Sequence, residues 1–239
     1  MDTLYNLSVD IVIPVYNEGE NIEKNLDVLN ENIGANHIAD FRITIIYDFD
    51  GDNTLPVIRN IRDKYVFPIF CVKNTKKGVV NAIKIGLVSS RCDYVLVTMA
   101  DLSDDYSILP EMVKRASEGA DVICASRYMT GGKLYGGPRF KQLISRTACL
   151  SIHYLSRIPT HDITNSYKLY SREFLERIQI ESEGGFEIGM EITAKVFKQG
   201  GKIVEIPSQW WDRTNGESKF KLFGWIPRYI TWYIYLLKK

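Results

Sequence analysis

Two short stretches of the chain are crowded with aspartate. One reads Asp48-Phe49-Asp50-Gly51-Asp52 and the other Asp101-Leu102-Ser103-Asp104-Asp105. A third stretch, Pro14-Val15-Tyr16-Asn17-Glu18, adds another carboxylate. Capping of a following helix uses one such side chain per loop, and Thr54 or Asp104 alone fits that role. Three carboxylates in each of two loops go beyond it. Like charges held together are costly unless a cation or a donor-rich ligand offsets them. A hard divalent ion, Mg²⁺ or Mn²⁺, with oxygen ligands from carboxylates and substrate phosphates is the natural partner. The remaining carboxylates can accept hydrogen bonds from a nucleobase or a ribose.

Each acidic stretch follows a short apolar run. The runs 10–16, 42–48, Ile69–Lys73, 94–99 and 121–125 are nearly continuous in apolarity and rich in β-branched residues. Buried parallel strands covered on both faces read this way. Between them, Ile22, Leu26, Leu29 and Ile33 recur at helical spacing, which turns one stripe to a core. Thr54 is expected to cap a helix that carries Pro56 in its first turn. Such alternation predicts an α/β fold with right-handed crossovers and an open, mostly parallel, Rossmann-like sheet flanked by helices. Ligands of these sheets bind beyond the carboxyl ends of the strands, so the three acidic stretches are expected at one edge. The later part holds a Gly-rich loop at 130–137, a helix near 141–156, a strand near 166–171, a helix near 186–198 and a strand near 202–207. No linker or repeat interrupts it, so residues 1–219 are read as one catalytic domain and 220–239 as a C-terminal amphipathic helix.

Bulk properties narrow the class. The 239 residues are 45% hydrophobic and 25% charged with a net charge of +1, a globular composition without the basic excess of a general nucleic-acid binder. Cys71, Cys92, Cys124 and Cys149 form no C-x-x-C pair, so reduced core thiols are expected in preference to a zinc site. The first ten residues, MDTLYNLSVD, carry neither a basic start nor an apolar stretch, so no signal peptide is expected.

The motifs in order resemble family 2 glycosyltransferases of the GT-A fold. They are Ile-Pro-Val-Tyr-Asn-Glu at 13–18, the Asp-rich turn after the second strand, Met99-Ala100-Asp101-Leu102, Ala125-Ser126-Arg127-Tyr128 and Gly131-Gly132. Then come Asp162-Ile163-Thr164-Asn165-Ser166-Tyr167-Lys168, Gly185-Phe186 with Glu191, and Arg213-Thr214-Asn215-Gly216-Glu217-Ser218-Lys219. Spanning roughly residues 9–220, the series is similar to the polyprenyl-phosphate hexosyltransferase branch, that of the dolichol-phosphate mannose synthases.

The resemblance implies roles for particular residues. Pro14, Tyr16, Glu18, Asp48, Asp50, Ala100, Asp101 and Lys219 would bind the nucleotide sugar. The family's Asp-Ala-Asp metal motif is reduced here: Met99 replaces the first carboxylate, and Ser103 stands where a Gln often follows. Asp101 then carries the Mg²⁺ or Mn²⁺ with phosphates and water, Ser103 is a further ligand, and Asp104 is either a second carboxylate ligand or a helix cap. Arg127, Lys141, Ser145, Arg213, Ser218 and Lys219 would grip phosphates, as charge-assisted hydrogen bonds favour. Lys141 replaces a frequent Arg, so a bidentate contact becomes a point charge.

Inverting transfer of a hexose from a nucleotide-diphosphate sugar, of the GDP-mannose or UDP-glucose type, to a polyprenyl phosphate (dolichyl or undecaprenyl) follows from that likeness. The metal and Arg213 or Lys219 would neutralise the leaving phosphate. A lipid phosphate is already anionic and needs no strong base. A saccharide acceptor in cell-surface glycan assembly, the alternative, would need one, and Asp162 or Glu191 are the candidates. Asp162 bracing the 164–168 turn is the structural alternative for it. The remote alternative, a non-catalytic scaffold, is opposed by the retained Asp101 and basic set. A nucleotidyltransferase would need a Gly-rich loop after the first strand and a nicotinamide enzyme a G-x-G-x-x-G; the chain has neither.

The tail 220–237, FKLFGWIPRYITWYIYLL, is too short and interrupted to span a bilayer. Arg228, Thr231, Tyr235 and Lys238 fall on one narrow polar stripe, and the rest of the surface is aromatic or aliphatic, which suits an in-plane membrane position. The expected setting is peripheral, on the cytoplasmic face. A helix packed on the catalytic domain or in a homodimer is the alternative, and a separate membrane subunit is a further candidate partner, since many relatives continue into transmembrane helices.

Overall fold

A computed structural model describes residues 4–34, 38–212 and 222–238. Its strands are β1 (Ser8–Val15), β2 (Asp40–Tyr47), β3 (Ile69–Lys73), β4 (Tyr94–Val97), β5 (Val122–Ser126), β6 (Lys133–Tyr135), β7 (Lys168–Ser171), β8 (Ile203–Pro207) and β9 (Gln209–Trp211). Its helices are α1 (Ile22–Gly34), α2 (Thr54–Ile61), α3 (Val79–Ser89), α4 (Leu109–Ser117), α5 (Arg139–Ser156), α6 (Arg172–Leu175), α7 (Glu187–Lys198) and α8 (Leu222–Leu237). Seven strands form one sheet in the order β3-β2-β1-β4-β7-β5-β8. The mostly parallel α/β sheet expected from the apolar runs is therefore present. Its one reversal is β7, antiparallel to both β4 and β5.

That reversal matters for the site. The segment before β7 comes to the same sheet edge as the segments that follow β1, β2, β4, β5 and β8. Strand order also switches direction at β1, which pairs with β2 on one side and β4 on the other, and such a switch opens a crevice.

Burial follows the sequence pattern closely in the centre. Ile22, Leu26, Leu29 and Ile33 of α1 are all buried, as their spacing predicts. They join one apolar layer with α2 and α4, while α3, α5, α7 and α8 cover the opposite face. At Gly86 in α3 an added Cβ would lie 2.2 Å from Val12 Cγ1, so glycine is what lets α3 press directly on β1.

Four expectations are corrected. β3 is an edge strand with Phe70 and Cys71 exposed, not a strand covered on both faces; apolarity alone does not tell an edge from a centre. Cys71 is accordingly not a core thiol, whereas Cys92, Cys124 and Cys149 are buried. Thr54 is the first residue of α2 and does not cap it: its amide donates to Asp52 Oδ1 at 2.9 Å, and its hydroxyl accepts the Glu18 amide. Finally, α8 does not present one broad apolar surface outward. Trp232 and Leu236 are buried against the domain, with Tyr229 and Tyr233 packed beside them, and Ile230, Ile234 and Leu237 remain exposed.

Candidate active site

The first wall is built where β1 and β2 end. Asn17 takes a left-handed conformation (φ 57°), which turns the chain so that its amide reaches Asp52 Oδ2 at 3.1 Å. The Glu18 amide donates to Thr54 Oγ1 at 2.9 Å and the Gly19 amide to Asn53 Oδ1 at 2.9 Å. These bonds lock the segment holding Pro14, Tyr16 and Glu18 onto the acidic turn. Tyr16 is half exposed and tilts against Phe49, with ring centroids 5.5 Å apart. Asp48 accepts from Asn74 Nδ2 at 2.7 Å and from the Gly78 amide at 2.8 Å, while Asp50 pairs at the surface with Lys73. The loop after β3 is thereby drawn to the same wall with exposed Lys76 and Lys77. Those two lysines were not expected; their trace in the sequence is Lys-Lys-Gly beginning three residues past the end of a strand.

The second acidic loop follows β4. Leu102 has a φ of 59°, unusual for a bulky side chain and a form of strain that clusters at functional sites. The turn brings the Ser103 amide back to Asp101 Oδ1 at 3.2 Å. Ser103 itself is 4% exposed, and its Oγ has no hydrogen-bond partner. An orphaned buried hydroxyl beside a carboxylate fits a hard divalent cation, which prefers oxygen donors. Among the described residues no three His, Cys, Asp or Glu side chains cluster as a metal cage. An ion at Asp101 and Ser103 would therefore draw its other ligands from substrate phosphates and water.

Asp104 faces inward. Its Oδ2 accepts from Thr98 Oγ1 at 2.8 Å and from the Met99 amide at 3.4 Å, and Thr98 meets Tyr106 Oη, which also accepts from Asn25 Nδ2 at 2.9 Å. Burial pushes the Asp104 carboxyl up to about 7, the Thr98 hydrogen bond opposes this, and the nearby Asp101 charge adds to it. The cap of the following turn is Asp105, whose Oδ1 accepts the Ser107 amide while Oδ2 accepts that of Gln209. The polar network beneath the loop, Asn25, Thr98 and Tyr106, was not foreseen. A lone asparagine on the apolar stripe of α1 was its trace in the sequence.

Of the phosphate-binding residues expected from the likeness, Arg127 and Ser145 lie together on the other side of the crevice. Arg127 follows β5 and makes a two-pronged pair with Asp162, Nε to Oδ2 at 2.6 Å and Nη2 to Oδ1 at 2.9 Å. The Arg127 amide also donates to Asp162. Among the described residues none of the guanidinium's hydrogen bonds uses Nη1. Burial raises the Asp162 carboxyl, but the Arg127 charge and its hydrogen bonds outweigh that and hold it below the ordinary range. Ser145 on α5 joins the cluster through Tyr128 Oη at 3.0 Å and Thr164 Oγ1 at 3.4 Å. Lys141, one turn earlier on the same face of α5, is exposed. Gly132 folds its loop against the end of β5: a Cβ there would lie 2.3 Å from the Ser126 carbonyl oxygen.

A small two-stranded sheet, β6 paired with β9, joins the two halves. Trp211 donates its amide to the Ser103 carbonyl at 3.1 Å, and the Arg127 guanidinium lies over the Trp210 ring, 6.0 Å from the ring centroid. It was not expected, because β6 lies inside the Gly-rich loop and its partner comes late in the chain. Arg213, Ser218 and Lys219, which follow β9, lie outside the described residues.

Neither carboxylate considered as a base is placed for that work. Asp162 is buried and committed to Arg127, and it also accepts a long bond of 3.5 Å from Thr164 Oγ1 at the start of the 164–168 turn; the carbonyls of Ile163 and Asn165 are held by Lys168 Nζ. Glu191 is buried in α7, accepting the amides of Glu181 (2.6 Å) and Ser182 (2.7 Å) and pairing with Lys195. That is the geometry of a loop brace.

With the site in view, the chain can be compared with known proteins. Residues 10–179 match the family model described as Glycosyl transferase family 2. The chain belongs to glycosyl transferase family 2. Within reach of this family 2 chain is the dolichol-phosphate mannosyltransferase of Pyrococcus furiosus, 29% identical over 219 residues, 90% of this chain and 60% of that protein. This chain thus spans about three fifths of that relative's length. The polyprenol monophosphomannose synthase of Mycolicibacterium smegmatis is 27% identical over 217 residues, 87% of this chain and 79% of that protein. Among solved structures, glucosyl-3-phosphoglycerate synthase from Mycobacterium tuberculosis, in complex with Mn²⁺, UDP and glucosyl-3-phosphoglycerate, superposes with a TM-score of 0.67 at 14% identity. The match covers 97% of this chain and 80% of that one. At that identity the likeness establishes the shared fold.

Proposed function

We propose that this family 2 chain transfers a hexose, with inversion, from a nucleotide-diphosphate sugar to a polyprenyl phosphate at a membrane surface. The observation that carries the acceptor is the commitment of Asp162 and Glu191. A saccharide hydroxyl would need a carboxylate base within reach, and both candidates are consumed by structural bonds. A lipid phosphate is anionic near neutral pH and asks only to be oriented, which Arg127, with Lys141 and Ser145 nearby, would do. The names of the two relatives above, both polyprenol-phosphate mannose enzymes, support the same reading.

On the donor side, Tyr16, Asp48 and Asp50 would line the nucleotide, and Asp101 with Ser103 would hold Mg²⁺ or Mn²⁺ against its phosphates. The metal would supply charge neutralisation of the departing diphosphate, and Arg213 and Lys219 are assigned to the same task. Residues 1–219 carry this chemistry and 220–239 an attachment helix. Release of nucleoside diphosphate that requires both Mn²⁺ and a polyprenyl phosphate is the test of this assignment.

Attachment to the cytoplasmic face of a membrane is the setting proposed. No helix among the described residues is long and apolar enough to cross one. What supports peripheral attachment is an apolar face shared by two packed helices: Phe140 and Leu143 of α5 are exposed, and a groove between α5 and α8 is lined by Leu143, Ile144, Ala148, Ile230 and Tyr233. Because Trp232 and Leu236 are part of the core, truncation of α8 would damage the domain. The double variant Ile230→Asp, Ile234→Asp changes only exposed positions. It is expected to float with liposomes several-fold less than the parent chain, and equal flotation would contradict this attachment.

A further inference from the structure

Lys168 opens β7 and is completely buried, a position lysine almost never takes without a pairing partner. Among the described residues no carboxylate bonds to it. Its Nζ donates instead to the carbonyl oxygens of Ile163, at 2.8 Å, and Asn165. Both belong to the turn that begins at Asp162. Beside it on α7 is Gly189, where an added Cβ would stand 3.5 Å from Nζ, an ordinary contact. Burial pulls the amine below its ordinary value, although Cys124, Asp162 and Cys149 favour its charged form. Charged or neutral, the amine has the two N–H donors that the two carbonyls need.

The turn so held carries Asp162, which accepts both the amide and the guanidinium of Arg127. Ser145 lies beside it, accepting from Tyr128 Oη and meeting Thr164 Oγ1 of the same turn. Loosening the turn would therefore shift Arg127 and Ser145 together.

We propose that Lys168 is a positioning residue for the acceptor phosphate. It fixes the carbonyls of residues 163 and 165, and with them the turn from which Asp162 presents Arg127. The proposal rests on the polyprenyl-phosphate reading above. Lys168 touches neither substrate; it acts through the turn.

Lys168→Met in the full chain tests this hold on the turn. Turnover with GDP-mannose or UDP-glucose, Mn²⁺ and a polyprenyl phosphate is expected to show an acceptor KM raised about tenfold, with the donor KM within about twofold. The Arg127 Nε–H resonance, protected from solvent exchange by its pairing with Asp162, is expected to exchange faster. Lys168→Gln keeps two N–H donors on a shorter side chain; it should raise the acceptor KM and speed that exchange by a smaller factor than the Met variant, and it carries both tests if the Met variant does not fold. If the parent chain turns over and both variants keep its acceptor KM, the proposal is overturned. If the parent chain does not use polyprenyl phosphate, the acceptor reading fails, while the Arg127 exchange rate still decides the positioning role.

Discussion

Asp101→Ala is expected to reduce nucleotide-sugar turnover by roughly 10³-fold, about 4 kcal/mol of transition-state stabilisation, without unfolding the chain. The reasoning starts from how few oxygen donors this loop offers. The family's first metal carboxylate is replaced by Met99, Asp104 is turned to Thr98, and Asp105 caps the next turn. Asp101 is left as the loop's charged donor beside the unpartnered Ser103 hydroxyl. If Asp101 is the carboxylate that holds the metal, as proposed, its loss removes the anchor of the metal rather than weakening it. Stability should change little, because Asp101 is only partly buried and its neighbours are held by other bonds. Turnover within a few fold of the parent chain, measured at saturating Mn²⁺, would remove the metal assignment.

Asp162→Asn should cost about 3–5 kcal/mol of stability, since removing one partner of a buried ion pair leaves the other uncompensated. Arg127 is the group left behind: it loses its two charged hydrogen bonds in a place where its side chain is 13% exposed. The same pair predicts the pH response. Asp162's carboxyl is held below its ordinary value in the folded chain, so its contribution is fully present above the unfolded value of about 3.9. It is lost as pH falls through the folded value. The parent chain should therefore lose stability on acidification below about pH 4, and the Asn variant should show a shallower acid limb from a lower plateau. Urea midpoints at pH 7 and at a series of values below about pH 4 measure both. A variant as stable as the parent would mean that Arg127 finds other partners.

What could be read from the sequence was whatever is local. β1, β2 and β4 are continuous in apolarity because both faces are covered, and the stripe of α1 declares its buried side through spacing alone. The acidic loops were placed correctly at the sheet edge because the chain order of strand and loop decides that. Edge and centre strands share a composition, so β3 was misjudged. The pairing of β6 with β9 joins distant segments and leaves no local signature. The role of Asp162 was obscured for a similar reason: its partner Arg127 lies a full strand and helix earlier, and only the antiparallel entry of β7 brings them together. Residues 213–219, where three of the expected phosphate contacts fall, lie outside the described structure, so Arg213, Ser218 and Lys219 remain proposals from resemblance.

The proposed function gives the loop around Asp101 the donor diphosphate and the cluster around Arg127 the acceptor anion. The measurement that joins them is transfer of label. Purified chain is incubated with Mn²⁺, GDP-mannose or UDP-glucose labelled in the sugar, and a polyprenyl phosphate in detergent, then extracted with organic solvent. Label in the organic phase, dependent on both Mn²⁺ and the lipid phosphate and absent in Asp101→Ala, is the predicted result. Label that stays in the aqueous phase with every polyprenyl phosphate, yet moves onto a saccharide acceptor, would contradict it.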